Sequence, residues 1–336
     1  PARWSPPRWH AGDAAVGLDH DLLAATALVY AREGLALIPA FCFDGAIPAL
    51  EIIRGGDDAT GIACVGADGR TRRLPGGVHY NILDPRVQRA VEEIIAEAAA
   101  RLRGIPGGAG LALVLPHDGW LHLPGVAWGL DDQTFARFLV AIGGVAATPE
   151  ADAEEGRFAE RARLVTGDLR EEWLAWRTGE LTAFYARLTA RATADEERRQ
   201  LFVVPTTLLA AGDLAGRFGP TLAAGPGNND LLREIGLVAA LPAAGPDQER
   251  LVFLAPHVHT AAGTLTERST RATANRALSL TAGRHGAVFI EQPLTVTLAE
   301  IVPHGPFPTA AAPPPCPLRI VRAAAAGDRD LAESLA

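Results

Sequence analysis

Six ionisable side chains stand directly after, or just beyond, short apolar runs. The runs end in Phe41-Cys42-Phe43-Asp44, Pro116-His117-Asp118-Gly119-Trp120, Pro205-Thr206-Thr207, Pro256-His257-Val258-His259 and Glu291-Gln292-Pro293. Cleaving a glycosidic bond takes one carboxyl group to protonate the leaving oxygen and another to attack the sugar carbon or activate water. Asp118 suits the general acid/base role, and Glu291 the nucleophile or base. Trp120, together with Trp128, would stack on a sugar face, while Asp44, His117, His257 and His259 would contact substrate. A retaining site needs carboxyl groups about 5 to 5.5 Å apart, an inverting one roughly 6.5 to 9.5 Å. Each acid also has an ordinary reading, as a helix cap or the partner of an Arg.

His257-Val258-His259 puts two imidazoles on one side of an extended segment, which is a geometry for binding a metal. A metal-dependent hydrolase is therefore a competing reading. Spacing supplies no third ligand, although Asp44 or His117 could converge in space, and no metal is assigned. A catalytically inactive carbohydrate-binding or scaffold barrel is the other alternative.

Strand-like runs and helical patterns alternate along the chain. Residues 35–41 follow a helical stretch from about Asp21 to Glu33, stopped at Gly34. Asp84-Pro85 reads as an N-cap followed by Pro at the first helical position. Val87, Val91, Ile94, Ile95, Ala98 and Leu102 then share one helix face. Further strands are expected at 111–115, 201–204, 251–254, 287–290 and, more weakly, 318–321. Helices should cover about Asp131 to Ala192, interrupted near Gly143–Pro149 and Gly167, with Trp173, Trp176, Leu181, Phe184, Tyr185 and Leu188 as core. Continuous apolar runs suit strands covered on both faces, so a parallel sheet in an α/β fold is expected. Residues 43–81 form an insertion with a small hairpin turning at Ala67-Asp68-Gly69-Arg70, and 307–317 is a Pro/Ala-rich connection. Gly225–Asp230 lacks the Lys-Ser/Thr of a phosphate loop and reads as a turn and helix start.

The chain has 336 residues, 48% hydrophobic and 21% charged, with a mean hydropathy of +0.11. That suits one large α/β domain or two small ones, read here as a single domain spanning 1–336, and it folds without staples. The net charge of −8 argues against nucleic acid and anionic membranes and favours neutral or cationic ligands. No apolar run reaches the roughly 18 residues of a membrane span. Cys42, Cys64 and Cys316 show no metal-ligand spacing and read as buried small hydrophobes. No cofactor motif is present. Lys is absent, as in chains from GC-rich genomes, and Met is absent, so Pro1 is expected not to be the native start.

Arg32-Glu33-Gly34-Leu35, Tyr80 to Val87 and Gly108 to Leu113 resemble stretches of the bacterial glycosyl-hydrolase-like family 10. Leu121 to Gly125, Trp128 to Asp132 and Phe158 to Ala162 resemble it too. The likeness runs through most of the chain and is densest between about residues 30 and 190. It implies a (β/α)8 TIM barrel lacking its first two β/α units here, so that Asp118 ends the fourth strand and Glu291 the seventh. Those are the ends that carry acid/base and nucleophile in many barrel glycosidases. It implies a carbohydrate substrate and an exported, periplasmic or extracellular location. Asp118 stands where many such enzymes have Glu, and His117 where they have Asn.

Overall fold

A computed structural model describes residues 22–34, 36–56, 60–105, 108, 110–144, 156–193, 199–205, 208, 214, 217, 228–237, 251–253, 255–258, 288–293 and 320–322. The chain divides into two compact units. The first comprises 1–203 and 224–252, and the second 204–223 and 253–336.

The first unit opens with α1 (Leu22–Arg32) and β1 (Ala40–Cys42). The strand is shorter than the apolar run predicts, because Pro39 has no N–H to donate. Leu37 makes one isolated parallel bridge to Gly108, Pro39 accepts from Ala112, and regular pairing starts at Ala40. Next comes α2 (Pro48–Arg54), a helix inside the insertion that the sequence reading missed. Its signal is Pro48 at the first turn, a position where the missing N–H costs nothing. The hairpin β2 (Arg73–Leu74) and β3 (Gly77–Val78) follows.

The expected turn at 67–70 is present: Gly66 N donates to Arg70 O at 3.0 Å, and Asp68 accepts from Arg70 N at 3.0 Å. Gly69 sits at φ +72°, and a Cβ there would lie 2.7 Å from the Phe158 ring. Gly69→Ala should therefore lower unfolding free energy by about 1–3 kcal/mol, through left-handed backbone and steric conflict together. Urea titration checks this, and an unchanged midpoint would mean that the turn does not pack on Phe158.

α3 (Pro85–Arg101) starts as its sequence predicts, with the Asp84 carboxylate accepting from Arg86 N at 2.7 Å. Its buried stripe is Val87, Val91, Ile94, Ile95 and Ala98. β4 (Gly110–Val114) then pairs in parallel with β1, Ala40 opposite Ala112. The long helical region resolves into α4 (Asp132–Ala141), α5 (Arg157–Thr166) and α6 (Arg170–Thr193). Trp173, Leu181, Phe184, Tyr185 and Leu188 are buried on α6, as expected of a core stripe, whereas Trp176 is half-buried. β5 (Gln200–Val204), α7 (Asn228–Glu234) and β6 (Leu251–Phe253) complete a four-stranded sheet ordered β1-β4-β5-β6. Neighbours in space thus follow chain order, the pattern that successive strand–helix units produce.

Arg177 ties α6 to its surroundings. Fully buried, it donates to the carbonyls of Gly125, Val126 and Glu234 at 2.6–3.1 Å. Burial holds its guanidinium down at about 10.

The second unit contains a three-stranded parallel sheet of β7 (Ala255–Val258), β8 (Val288–Pro293) and β9 (Ile320–Arg322), with β8 in the middle. The strand expected over 251–254 is β6, and the residues expected beyond its end, Ala255–Val258, form a further strand, β7. Among the described residues, no helix is long and apolar enough to cross a membrane.

Candidate functional site

Parallel pairing of β1 with β4 brings the C-terminal ends of both strands to one edge. The loops leaving that edge are stitched together. Trp120 N donates to Phe43 O at 3.0 Å, and its indole N–H donates to Gly45 O at 3.0 Å. Gly119 permits the approach, since a Cβ there would lie 2.8 Å from the Pro116 ring and 3.0 Å from Phe43 O. Asp44, His117 and Asp118 are all exposed on these loops. Among the described residues Asp118 has no ion pair, and Asp44 accepts only a long thiol contact, from Cys42 at 3.5 Å. Cys42 is exposed rather than buried, because it ends an edge strand of the sheet.

Trp120 does not serve as the expected sugar platform. Its side chain is 0% exposed, with Phe43 and Tyr80 packed edge-on at 5.2 and 5.0 Å between centroids. The ring is a core wedge that holds the two loops together. Tyr80 beside it donates to Glu51 at 2.6 Å and accepts from Ile47 N at 3.0 Å. Burial, reinforced by that carboxylate, lifts its phenol well above the usual range.

Behind these loops lie two buried histidines that the sequence reading passed over. His79 and His122 meet edge to face at 5.4 Å. The His79 Nδ1 lies 3.1 Å from Tyr80 O, which fixes that nitrogen as the protonated one. Nε2 of His79 and Nδ1 of His122 are buried with no partner among the described residues. Burial drives His79 down to about 3 and His122 well below the ordinary imidazole range, with Arg72 adding to both. Both side chains are neutral.

A further carboxylate was read only as the start of a helical region. Asp131 caps α4, accepting from Thr134 N at 2.9 Å and from Asn81 at 2.8 Å. Burial raises its carboxyl to about 6. Cys64 nearby is pushed up to about 12, chiefly by burial, and stays a thiol. Asp131 lines a cleft of about 550 Å³ with Asp132, Arg70, Arg73, Arg157 and Phe158.

In the second unit, Glu291 lies within β8, paired in register with Val258 and Ile320. His257 lies inside β7, opposite Ile290, rather than beyond a strand end as expected. The expectation placed both after their strands because the apolar runs stop early, whereas backbone pairing continues through the polar residues. His259, Thr206, Thr207 and the 307–317 connection lie outside the described residues. Among the described residues no group of three or more His, Cys, Asp and Glu side chains is arranged to hold a metal ion.

No protein-family model matches this chain, and no curated protein matches it either.

Proposed function

We propose that this chain hydrolyses a glycosidic bond on a β/α barrel, with Asp118 as general acid/base and Glu291 as nucleophile or base. One observation carries the reading: Asp44, His117 and Asp118 stand exposed together on the edge where parallel strands β1 and β4 end. In β/α barrels, that edge is where reacting groups sit. Asp118 has no Arg partner among the described residues, so its carboxyl is available to a substrate. The role of Glu291 rests on the chemistry of paired carboxylates, which a single acid does not satisfy.

The test is turnover of a panel of oligosaccharides and aryl glycosides by the wild type, Asp118→Asn and Glu291→Gln. Loss of about 10²-fold or more in kcat in each variant is expected. Unchanged turnover in both removes the assignment. Glycan binding without turnover in the wild type would make the protein a non-catalytic carbohydrate binder. Turnover abolished by a chelator and restored by zinc would favour the metal-dependent reading through His257 and His259.

A further inference from the structure

The chain is acidic overall, yet one cleft of the first unit gathers arginines. Its shape follows from two glycines. Gly66 lies against Trp128, where a Cβ would come within 3.0 Å of the indole, and Gly69 lies against Phe158. These contacts, with the Gly66–Trp128 bridge, lay the strand-turn-strand 65–73 across the starts of α4 and α5. One wall then carries Arg70, Thr71 and Arg73, and the other Asp131, Asp132, Arg157 and Phe158. The enclosed volume is about 550 Å³, within the range of small-molecule sites.

The acceptors of this cleft are already engaged. Asp131 receives hydrogen bonds from Thr134 N and Asn81. Asp132 pairs with Arg161 at 2.7 Å and Arg157 at 3.3 Å. Two of its donors, Arg157 and Arg70, are less fully engaged. The buried Nε of Arg157 has no partner among the described residues. Among the described residues the Arg70 side chain is held only by a 4.0 Å contact to Asp68, and it is 87% exposed. Arg157 also lies over the Phe158 ring at 4.7 Å, which keeps its guanidinium plane in one orientation. Guanidinium groups with open N–H positions recognise planar or tetrahedral oxyanions in preference to neutral groups.

We propose that this cleft binds a small organic ligand through an oxyanion, either a carboxylate or a phosphate, with Arg70 and Arg157 as its donors and Arg73 adding positive charge to its lining. The site shares no residue with the strand edge that bears Asp118, so it stands or falls separately from the hydrolytic reading.

Thermal unfolding of the whole chain, followed during titration with inorganic phosphate, glucuronate or glucose, tests this against sodium chloride at equal ionic strength. A saturable rise in Tm with phosphate or glucuronate, absent with glucose and chloride, is the expected result. Which of the two oxyanions acts identifies the source of the charge. In the R70Q/R73Q variant, whose substitutions are at the surface, Kd should weaken by about tenfold or more. R157Q should do the same, with circular dichroism confirming that α5 is retained. No saturable shift with either oxyanion overturns the proposal. So does an equal shift with glucose or chloride, or an undiminished shift in R70Q/R73Q.

Discussion

Trp120→Ala should cost about 3–5 kcal/mol of unfolding free energy, among the largest losses a single truncation produces. The side chain is fully buried between Phe43 and Tyr80, and its N–H is the partner of Gly45 O. Truncation leaves a cavity where two aromatic edges met and a carbonyl without its donor. Trp120→Phe should lose less, since it keeps most of the ring volume and forfeits only the hydrogen bond and part of the packing. Equilibrium urea unfolding of both variants gives the comparison. A stacking platform would behave differently: Trp120→Ala would spare stability and weaken glycan binding. Stability that survives the truncation would place Trp120 outside the core.

Acid should destabilise the first unit steeply, and the two buried histidines are the reason. In the folded state His79 and His122 are held neutral, His79 with its ionisation near 3. In the unfolded chain each takes up a proton below about pH 6.5. The unfolded state therefore binds more protons, and stability falls as pH drops below that value. Each histidine contributes a slope of about 1.4 kcal/mol per pH unit in this window. Asp131 works in the opposite direction. Its folded ionisation near 6 lies above the unfolded value of 3.8, so between those values the folded state holds a proton that the unfolded state has released. Acidification from 6 to 4 thus gains stability through Asp131 and loses it through two histidines, for a net loss of about 1.4 kcal/mol per unit. Between pH 6.5 and 6 the histidines act with little offset. Unfolding free energies at pH 7, 6 and 5 measure the wild-type slope. His122→Leu removes one of the two groups and should flatten the profile markedly between 6 and 5. A level wild-type profile from 7 to 5, or an identical slope in the variant, would contradict a neutral buried pair.

The local elements were legible where short-range chemistry sets them. Asp84-Pro85 announces the start of α3, and its apolar positions at helical spacing are the ones buried. Asp68-Gly69 announces its turn, because only a residue tolerant of positive φ closes it. Of the aromatic stripe of α6, Trp173, Phe184 and Tyr185 read as core and are core, while Trp176 is half-buried. Strand limits were less legible. A run of apolar residues reports what is covered, whereas a strand is defined by backbone partners elsewhere in the chain. Glu291 and His257 therefore lie inside β8 and β7, paired through their backbones despite their polar side chains.

The site divides along the same line. Residue types alone nominated Asp44, His117 and Asp118, since polar groups after apolar runs are the residues a sheet delivers to its edge. That their loops are joined through Phe43, Gly45 and Trp120 depended on the parallel register of two strands some seventy positions apart. Side-chain type says nothing of burial when a residue lies in a loop, so Trp120 could be read as a platform and His79 and His122 passed over. The 550 Å³ cleft has no counterpart in any short window of sequence. It exists because two glycines let one hairpin lie flat on an indole and a phenyl ring, which turns arginines distant in the chain toward a common space. Spacing along the chain determined α3, the turn at 67–70 and the acids that follow β1 and β4. Long-range packing decided which of those side chains water can reach, because burial depends on what folds back over a residue rather than on the residue itself.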